Sequence, residues 1–327
     1  MLKELFVKDL PTSGKIMSFF LVGDVSTRET KGGKPYLCVS LKDKTGELEG
    51  RLWDIIGDVS ASFTAGKYVK INGEMSEWLG AKQIAIKQFR PVTEEEMSDL
   101  NVTDFRIRAD RPSEEMWHDM IMLFHEHTKR GAIYDIVDSL LAKNKDKFLI
   151  APAAKRVHHN YEGGLLEHTL SLLTIAVKVA DHYKLNKELL VAACILHDMA
   201  KTRELTYGDT IGYSTEGSLV GHVSLMMLEI SEECDCQGVS DKVRTELLHV
   251  VASHHGQRDW GAPVVPLMRE AIAFHFLDMI DSRLAIFDRM LKTDTTVGDF
   301  TAFVNEIGGP LYKPTPGEVD DKTELGS

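Results

Sequence analysis

The chain has 327 residues, of which 43% are hydrophobic and 27% are charged, and its formal net charge is −12. This length predicts about two domains, and the composition is ordinary for a soluble protein. No stretch has the apolar length of a membrane span, the start lacks the apolar core of a signal peptide, and the four cysteines show no disulfide framework. We therefore expect a cytoplasmic protein without membrane partners.

The charge is distributed unevenly along the chain. Residues 1–92 carry 14 Lys and Arg against 11 Asp and Glu, whereas the remainder carries 24 against 39. The net basic part is therefore the smaller N-terminal segment, which is a weak indication of nucleic-acid binding. Divalent cations would offset some of the acidity of the remainder locally.

Residues 15–92 show the pattern of short strands. Leu37, Val39 and Leu41 alternate with other residues, as in a half-buried strand, and turns separate the apolar segments. Five such segments predict a small closed barrel, with a helical insert at about residues 55–63. The period-2 pattern continues through Asn72-Gly73, which favours a bulge within one strand over a hairpin turn.

A small barrel of this kind binds single strands when aromatic side chains stack on bases and a basic groove follows the backbone. The candidate side chains are Tyr36, Trp53, Trp78, Phe89, Lys34, Lys70, Lys82 and Lys87. Trp78 is the best stacking candidate, because it lies next to a loop with polar neighbours. For each aromatic residue the alternative is core packing, and for each lysine it is a solvated surface.

The rest of the chain is predicted to be helical as far as about residue 307. A linker over residues 93–112 contains one short helical turn, and Ser113 is the predicted N-cap of the first long helix. The residues from 308 to 327 are rich in Gly, Pro and charge, which predicts a disordered tail.

Histidines and aspartates recur among the apolar segments of this helical region. They are His168, the doublet His197-Asp198, His222, the doublet His254-His255 and Asp278. An unpaired carboxylate within an apolar helix is costly to bury, and a cation is its natural partner. Because imidazoles and carboxylates from separate helices can converge on a metal ion, we interpret the set as metal ligands. A single histidine on an apolar face would more commonly be a packing residue.

The order His, His-Asp, Asp resembles the HD-domain superfamily of metal-dependent phosphohydrolases, and the additional histidines resemble its two-metal branch. The phrases HHNYEGGLLEHTL, CILHDMAKTREL, EGSLVGH, SHHG and EAIAFHFLDMID resemble the YhaM-type 3′-to-5′ exoribonucleases. The resemblance covers about residues 15–310. It implies a multidomain chain, with an all-β OB-fold barrel in residues 1–92 and an all-α HD-domain helical bundle in residues 113–307.

The resemblance also implies two divalent cations per chain. The first would be held by His168, His197, Asp198 and Asp278. The second would be held by His222, His254 and His255, with Asp198 bridging the two. The alternative is one metal, with the second set contacting substrate phosphate. Mixed nitrogen and oxygen ligands suit Mn²⁺, Fe²⁺ or Co²⁺ better than Ca²⁺ or Mg²⁺, and Mn²⁺ is our first choice.

Four residues are catalytic candidates, namely Asp198, Lys201, His158 and His159. Lys201 lies one helical turn after the His-Asp doublet and matches the family phrase, so it can hold a phosphate oxygen. His158 and His159 precede the first ligand and can contact phosphate or protonate the leaving O3′, although a structural loop pair is the alternative. Asp281, one turn after Asp278, is a weaker ligand candidate that could accept a hydrogen bond from a metal ligand or pair with Arg283 or Lys201.

The function implied by the resemblance is that of a metal-dependent 3′-to-5′ exonuclease that releases 5′-mononucleotides from single-stranded RNA, with DNA left open as a second substrate. Two alternatives remain. One is an HD phosphohydrolase of small nucleotides or cyclic dinucleotides, although GQRDWGAP after the His doublet lacks the Gly-Tyr-Pro phrase of the latter branch. The other is a nucleic-acid-binding adaptor with an inert HD scaffold, which the complete ligand set disfavours. The sequence is compatible with a homo-oligomer but does not fix the oligomeric state.

Overall fold

The computed structural model describes residues 3–30, 32–55, 59, 62–78, 81–155, 159–208, 210–294 and 296–314, with the backbone alone for Trp78, Ala81, Lys292 and Thr293. The described chain divides into two compact units. The barrel unit comprises residues 3–41, 47–97 and 283–314, and the helical unit comprises residues 42–46 and 98–282. In this part of the chain, no helix combines the length and the apolar character needed to cross a membrane.

Five strands near the N-terminus close into a barrel. They are β1 (Gly14–Glu29), β2 (Pro35–Asp43), β3 (Gly46–Leu52), β4 (Tyr68–Trp78) and β5 (Ala81–Pro91). Their order around the barrel is β1-β2-β3-β5-β4, and the β3–β5 pair is parallel. These strands coincide with the five apolar segments, so the predicted all-β N-terminal fold is confirmed.

Alternate apolar side chains fill the barrel because successive residues of a strand point to opposite faces. Leu41 and Ile71, for example, are fully buried. The register of β4 against β5 shifts between Asn72 and Gly73, so the predicted bulge is confirmed. A Cβ at Gly73 would lie 2.6 Å from the Ala85 carbonyl oxygen, and the close approach of these two strands therefore needs glycine.

The region after the barrel is mainly helical, as predicted. The α-helices in the described residues are α1 (Glu94–Asp99), α2 (Ser113–His127), α3 (Ala132–Phe148), α4 (Gly164–Tyr183), α5 (Lys187–Leu196), α6 (Lys201–Glu204), α7 (Thr215–Val220), α8 (His222–Gln237), α9 (Asp241–Ser253) and α10 (Arg269–Thr293). Short 3₁₀ helices occur at Val7–Asp9, Val102–Phe105 and Arg258–Trp260.

Helix α5 lies at the centre of the helical unit. Every residue from Leu189 to Leu196 is buried. A helix that is apolar on all sides must be surrounded by other elements, and α5 packs against α2, α3, α4 and α9. Because α5 ends at Leu196, the doublet His197-Asp198 emerges directly into the interior of the bundle.

Two hairpins interrupt the region that was predicted to be helical or disordered. The first pairs β6 (Leu205–Thr206) with β7 (Gly212–Tyr213), and the second pairs β8 (Phe300–Val304) with β9 (Gly309–Tyr312). The prediction of a disordered tail is therefore wrong for residues 309–312, whereas residues 315–327 lie outside the described residues.

The second hairpin is held by charge and ring contacts that composition does not reveal. Asp294 Oδ2 lies 2.6 Å from Lys313 Nζ, and Asp294 Oδ1 accepts a hydrogen bond from the Ala302 backbone N–H at 3.0 Å. The rings of Phe300 and Tyr312 pack edge to face with centroids 5.7 Å apart. These contacts join β8 and β9 to the residue that follows α10.

Two smaller predictions have different outcomes. Ser113 is the first residue of α2 and its N-cap is Pro112, so the N-cap assignment was wrong by one position. Most of the predicted helical insert at residues 55–63 lies outside the described residues.

Candidate metal centre

Two predicted ligands, His168 of α4 and His197 at the end of α5, face each other through their Nε2 atoms. His168 is fully buried and directs Nδ1 to Asp281 Oδ2 at 2.7 Å. His197, the C-cap of α5, directs Nδ1 to the Cys194 carbonyl oxygen at 3.0 Å. Because each Nδ1 faces an acceptor, it carries a proton, and in a neutral ring the lone pair is then on Nε2. The two Nε2 atoms lie 3.3 Å apart.

His222 and His254 repeat this arrangement from two other helices. His222 is the first residue of α8, and its Nδ1 lies 2.9 Å from Glu204 Oε1. His254 is the C-cap of α9, and its Nδ1 lies 2.7 Å from the Val251 carbonyl oxygen. Their Nε2 atoms lie 3.3 and 3.8 Å from Asp198 Oδ1. A hydrogen bond to one ring nitrogen fixes the tautomer and the orientation of a histidine that binds metal through the other.

Asp198 lies between these two pairs of histidines. Its Oδ1 atom faces the second pair, and its Oδ2 atom lies 3.3 Å from His197 Nε2. The residue is 3% exposed, and Oδ2 also lies 2.6 Å from Lys201 Nζ. Asp278 of α10 adds a second carboxylate, with Oδ1 3.3 Å from His168 Nε2. The two oxygens of Asp198 therefore face two different sets of imidazoles.

The arrangement leaves buried polar atoms that the protein itself does not satisfy. Asp198 Oδ1, His222 Nε2 and His255 Nδ1 are buried and have no hydrogen-bond partner among the described residues. Such atoms are costly to bury, and lone pairs that converge on one another are those that a cation binds. Ligand atoms lie within 4.8 Å of one another in three groups, namely His168-His197-Asp198, His222-His254-His255 and His159-His168-Asp281. The residues present therefore fit a divalent metal.

The pKa values in the cluster are shifted by burial and by close partners. Burial opposes a charge on His168, but hydrogen bonds to Asp278 and Asp281 outweigh burial and raise the pKa of His168 to about 9. Burial, together with the neighbouring His255, lowers the pKa of His254 well below its ordinary value. In the metal-free chain the second proton of His168 belongs on Nε2, which faces Asp278. A bound cation would take the place of that proton.

A further set of side chains contacts His168 on its Nδ1 side, opposite the Nε2 atom that faces the other ligands. Asp281 accepts the hydrogen bond from His168 Nδ1 and also lies 3.3 Å from His159 Nε2. His159 Nδ1 lies 2.9 Å from the Tyr161 hydroxyl and 3.1 Å from Glu167 Oε2. Both ring nitrogens of His159 therefore face protein groups. This arrangement favours a role for His159 in orienting Asp281 over a role in contacting the substrate phosphate. The paired candidate, His158, lies outside the described residues.

The doublet His254-His255 is fixed by the turn that ends α9. Gly256, two residues after the C-cap His254, has a φ of +79°, which favours glycine. A Cβ at this position would lie 2.1 Å from the His275 ring, so only glycine lets His275 pack against the turn. His275 Nδ1 donates a hydrogen bond to the His254 carbonyl oxygen at 2.9 Å. The sequence analysis did not identify His275.

A cavity of about 510 Å³ lies beside the candidate metal centre. Its lining includes Lys201, Glu204 and His222, and also Lys155 and Tyr213. Burial opposes the charge of Lys201, but Asp198 outweighs it and raises the pKa of the ammonium group, which therefore stays charged. The sequence analysis missed Glu204, Lys155 and Tyr213.

In the barrel, two aromatic candidates form a pair. The rings of Tyr36 and Trp53 have centroids 4.6 Å apart and an interplanar angle of 31°. Trp53 is 37% exposed, and the Arg51 guanidinium lies 5.8 Å from its ring. Phe89 instead packs with Phe63 against the barrel core, at a centroid distance of 4.6 Å. The pair is therefore the more accessible surface for stacking.

The remaining barrel candidates have varied surroundings. Lys82 Nζ donates a hydrogen bond to the Leu10 carbonyl oxygen at 2.5 Å, whereas Lys87 is exposed. Lys70 lies 3.3 Å from Glu96. The side chain of Trp78 lies outside the described part of the structure, so its stacking role stays a prediction.

Comparisons with known proteins agree with both halves of this description. Residues 19–92 match the OB-fold nucleic acid binding domain, and residues 165–290 match the HD domain. The 3′-5′ exoribonuclease YhaM of Listeria monocytogenes is 35% identical over 305 residues, which cover 92% of this chain and 96% of the relative. The 3′-5′ exoribonuclease YhaM of Bacillus subtilis is 32% identical over 303 residues, which cover 92% and 95%. With its OB-fold barrel and its HD domain, the chain therefore belongs to the YhaM family of 3′-5′ exoribonucleases.

Proposed function

We propose that the protein is a metal-dependent exonuclease that hydrolyses single-stranded RNA from its 3′ end and releases 5′-mononucleotides. The observation that carries this proposal is the convergence of buried imidazole and carboxylate lone pairs around Asp198. The direction and the substrate class come from the relatives, which are named 3′-5′ exoribonucleases. Single-stranded DNA is a second substrate to be tested alongside RNA.

The site takes two divalent cations in this proposal. The first set of ligands is His168, His197, Asp198 and Asp278. The second set is His222, His254 and His255, with Asp198 shared between them. The direction of the two Asp198 oxygens supports this division, because Oδ2 faces His197 and Oδ1 faces His222. The mixed nitrogen and oxygen set suits Mn²⁺ first, and Fe²⁺ or Co²⁺ next.

When bound, divalent cations polarise phosphoryl oxygens and lower the pKa of water for attack on phosphorus. The chain supplies orientation and charge around them. Lys201 is held by Asp198 at 2.6 Å and also lines the cavity, so its ammonium group can bind a phosphate oxygen of the substrate. His159 and Asp281 keep the His168 ring in position.

The barrel binds the single strand. The partly exposed Tyr36–Trp53 pair offers a surface for base stacking, and Arg51 and Lys87 add positive charge near Trp53 and on the neighbouring β5 surface. Stacking on aromatic rings is tolerant of sequence, since every base has a π face. This property suits an enzyme that must shorten strands of any sequence.

Product analysis tests the function. A 20-nucleotide single-stranded RNA labelled at its 5′ end, incubated with Mn²⁺, should shorten one nucleotide at a time, and the released products should be 5′-mononucleotides. Internal fragments would contradict exonuclease action. Hydrolysis of free nucleotides or cyclic dinucleotides with an intact oligomer would favour the small-molecule alternative. Binding without hydrolysis under every metal tested would favour the inert adaptor.

A further inference from the structure

The cavity beside the candidate metal centre contains an aromatic ring that the proposed chemistry does not use. Tyr213 lines this cavity together with His222 and Lys201, and it is 53% exposed. An accessible aromatic ring within a cavity is a surface on which a nucleobase can stack. The contacts around Tyr213 determine whether it can serve the neighbouring reaction.

Hydrogen bonds connect the backbone next to Tyr213 to a candidate metal ligand. Ser214, the next residue, donates its backbone N–H to the Glu204 carbonyl oxygen at 2.9 Å and its hydroxyl to the Arg203 carbonyl oxygen at 2.8 Å. The Glu204 carboxylate accepts hydrogen bonds from His222 Nδ1 at 2.9 Å and from the His222 backbone N–H at 3.0 Å. Glu204 therefore holds both the strand that carries Tyr213 and the His222 ring.

Close packing of α7 strengthens this connection. A Cβ at Gly217 would lie 2.2 Å from the Glu204 carbonyl oxygen, so the backbone of α7 is in direct contact with the end of α6. The Gly217 backbone N–H is bonded to the Ser214 hydroxyl at 2.8 Å. The hairpin of β6 and β7 is thus anchored at the end that carries Tyr213, beside the candidate metal centre.

The charges of the cavity also suit a nucleotide. The Lys155 ammonium group lies 5.5 Å from the centroid of the Tyr213 ring, and Lys201 is a second cation in the lining. Among the lining residues that the structure describes, Glu204 is the carboxylate, and His222 already engages it. The cavity therefore combines two ammonium groups with an aromatic ring, in a part of the chain that is otherwise acidic.

We propose that this cavity is the subsite for the 3′-terminal nucleotide of the substrate, with Tyr213 stacked on the terminal base and Lys155 adding charge for its phosphate. The inference rests on the proposed exonuclease function. A volume of about 510 Å³ is in the range of sites that bind one small ligand, which is the size class of a single nucleotide.

A substrate that lacks one base tests this assignment. Two 20-nucleotide RNAs are compared that differ only in the last residue, which is an ordinary nucleotide in one and a nucleotide without its base in the other. The full-length protein should have a KM that is about 5- to 150-fold higher for the second RNA, the range expected for one stacked base. Tyr213→Ala should raise the KM for the ordinary RNA by a similar factor and leave the KM for the other RNA unchanged. Tyr213→Phe keeps the ring and should behave as the unmodified protein.

The controls separate this subsite from the reaction itself. Tyr183→Ala removes a tyrosine that is 59% exposed and outside the cavity lining, and it should leave both KM values unchanged. Tyr213→Ala should keep the metal content of the unmodified protein, because the proposed metal ligands are intact. An equal change of KM for both RNAs, or no change for either, would overturn the subsite while the exonuclease function stands. Absence of mononucleotide release by the unmodified protein would instead contradict the proposed function.

Discussion

The candidate strand-binding lysines of the barrel unit and the candidate metal ligands of the helical unit have different polar surroundings. In the barrel unit, Lys34 pairs with Asp54 at 2.6 Å and Lys82 donates to a backbone carbonyl oxygen at 2.5 Å. In the helical unit, Asp198 Oδ1 and His222 Nε2 are buried without a partner among the described residues. The two lysines already have partners within the protein, whereas several buried ligand atoms that lie close together without partners indicate the place of a cation.

The largest expected effect is the loss of the shared carboxylate. Asp198→Ala should lower exonuclease turnover by at least about 10³-fold and reduce the bound metal, because both proposed sets of ligands use this side chain. Far-ultraviolet circular dichroism should show unchanged helix content. Asp181→Ala, which removes an exposed carboxylate paired with Lys187, is the matched control and should keep full activity. Normal activity of Asp198→Ala in metal-free buffer would exclude the metal centre.

The second-largest expected effect is a change in the number of cations bound per chain. His254→Ala and His255→Ala should each lower the metal content from about two to about one per chain, because each removes a ligand of the second proposed cation. Elemental analysis of the purified variants provides the measurement. Unchanged metal content combined with weaker RNA binding would favour the single-metal alternative, in which these histidines contact phosphate.

An intermediate effect is expected from a residue that acts through a histidine. Glu204→Gln keeps the size of the side chain but removes the charge that faces His222 Nδ1, and it should weaken metal binding by about 10- to 100-fold. Titration with Mn²⁺ measures this change directly. The control is Glu216→Gln, which alters an exposed carboxylate paired with Arg203. Equal metal affinities for the two variants would show that Glu204 does not orient His222.

A smaller and graded effect is expected in the barrel. Trp53→Ala should raise the KM for a 20-nucleotide RNA by about 5- to 10-fold and leave turnover of a small phosphodiester unchanged, because only strand binding is affected. Trp53→Phe retains a ring beside Tyr36 and should recover most of the affinity. A KM that does not respond to either substitution would remove this pair from the strand-binding surface.

The smallest effect on function is expected at Asp294, a carboxylate whose two oxygens already have hydrogen-bond or ion-pair partners within the protein. Burial opposes the charge of Asp294, but Lys313 and two further donors outweigh it and lower the pKa of Asp294 to about 2. Because this pKa is below the ordinary value, the stabilisation is present above about pH 4 and is lost as the pH falls through about 2.

Asp294→Asn should therefore lower the urea midpoint of unfolding at pH 7 but leave exonuclease activity unchanged. The difference in midpoint between the variant and the unmodified protein should shrink as the pH approaches 2. A midpoint difference that does not depend on pH would show that the carboxylate charge contributes nothing to the hairpin.

The elements that the sequence predicted are those with a strong local signal. The alternation of β1 to β5 predicted the barrel, because periodicity reflects burial directly, whereas the HD fold was implied by the family resemblance. The bulge at Gly73 was also predicted, because the period-2 pattern continues through Asn72-Gly73. The strand of residues 309–312 was missed, because its stability comes from contacts with residues distant in sequence.

For the candidate site, the sequence shows that histidines and aspartates recur in the apolar helices, in an order that resembles the metal-dependent HD phosphohydrolases. Which of their atoms lie close together is visible in the folded chain alone. The tertiary structure turned Nδ1 of four histidines toward protein acceptors, placed Asp198 between two sets of Nε2 atoms, and brought Tyr213 into the cavity beside His222. Partners such as Glu204 and the Val251 carbonyl have no sequence signature, because any acceptor at the right distance can orient an imidazole ring.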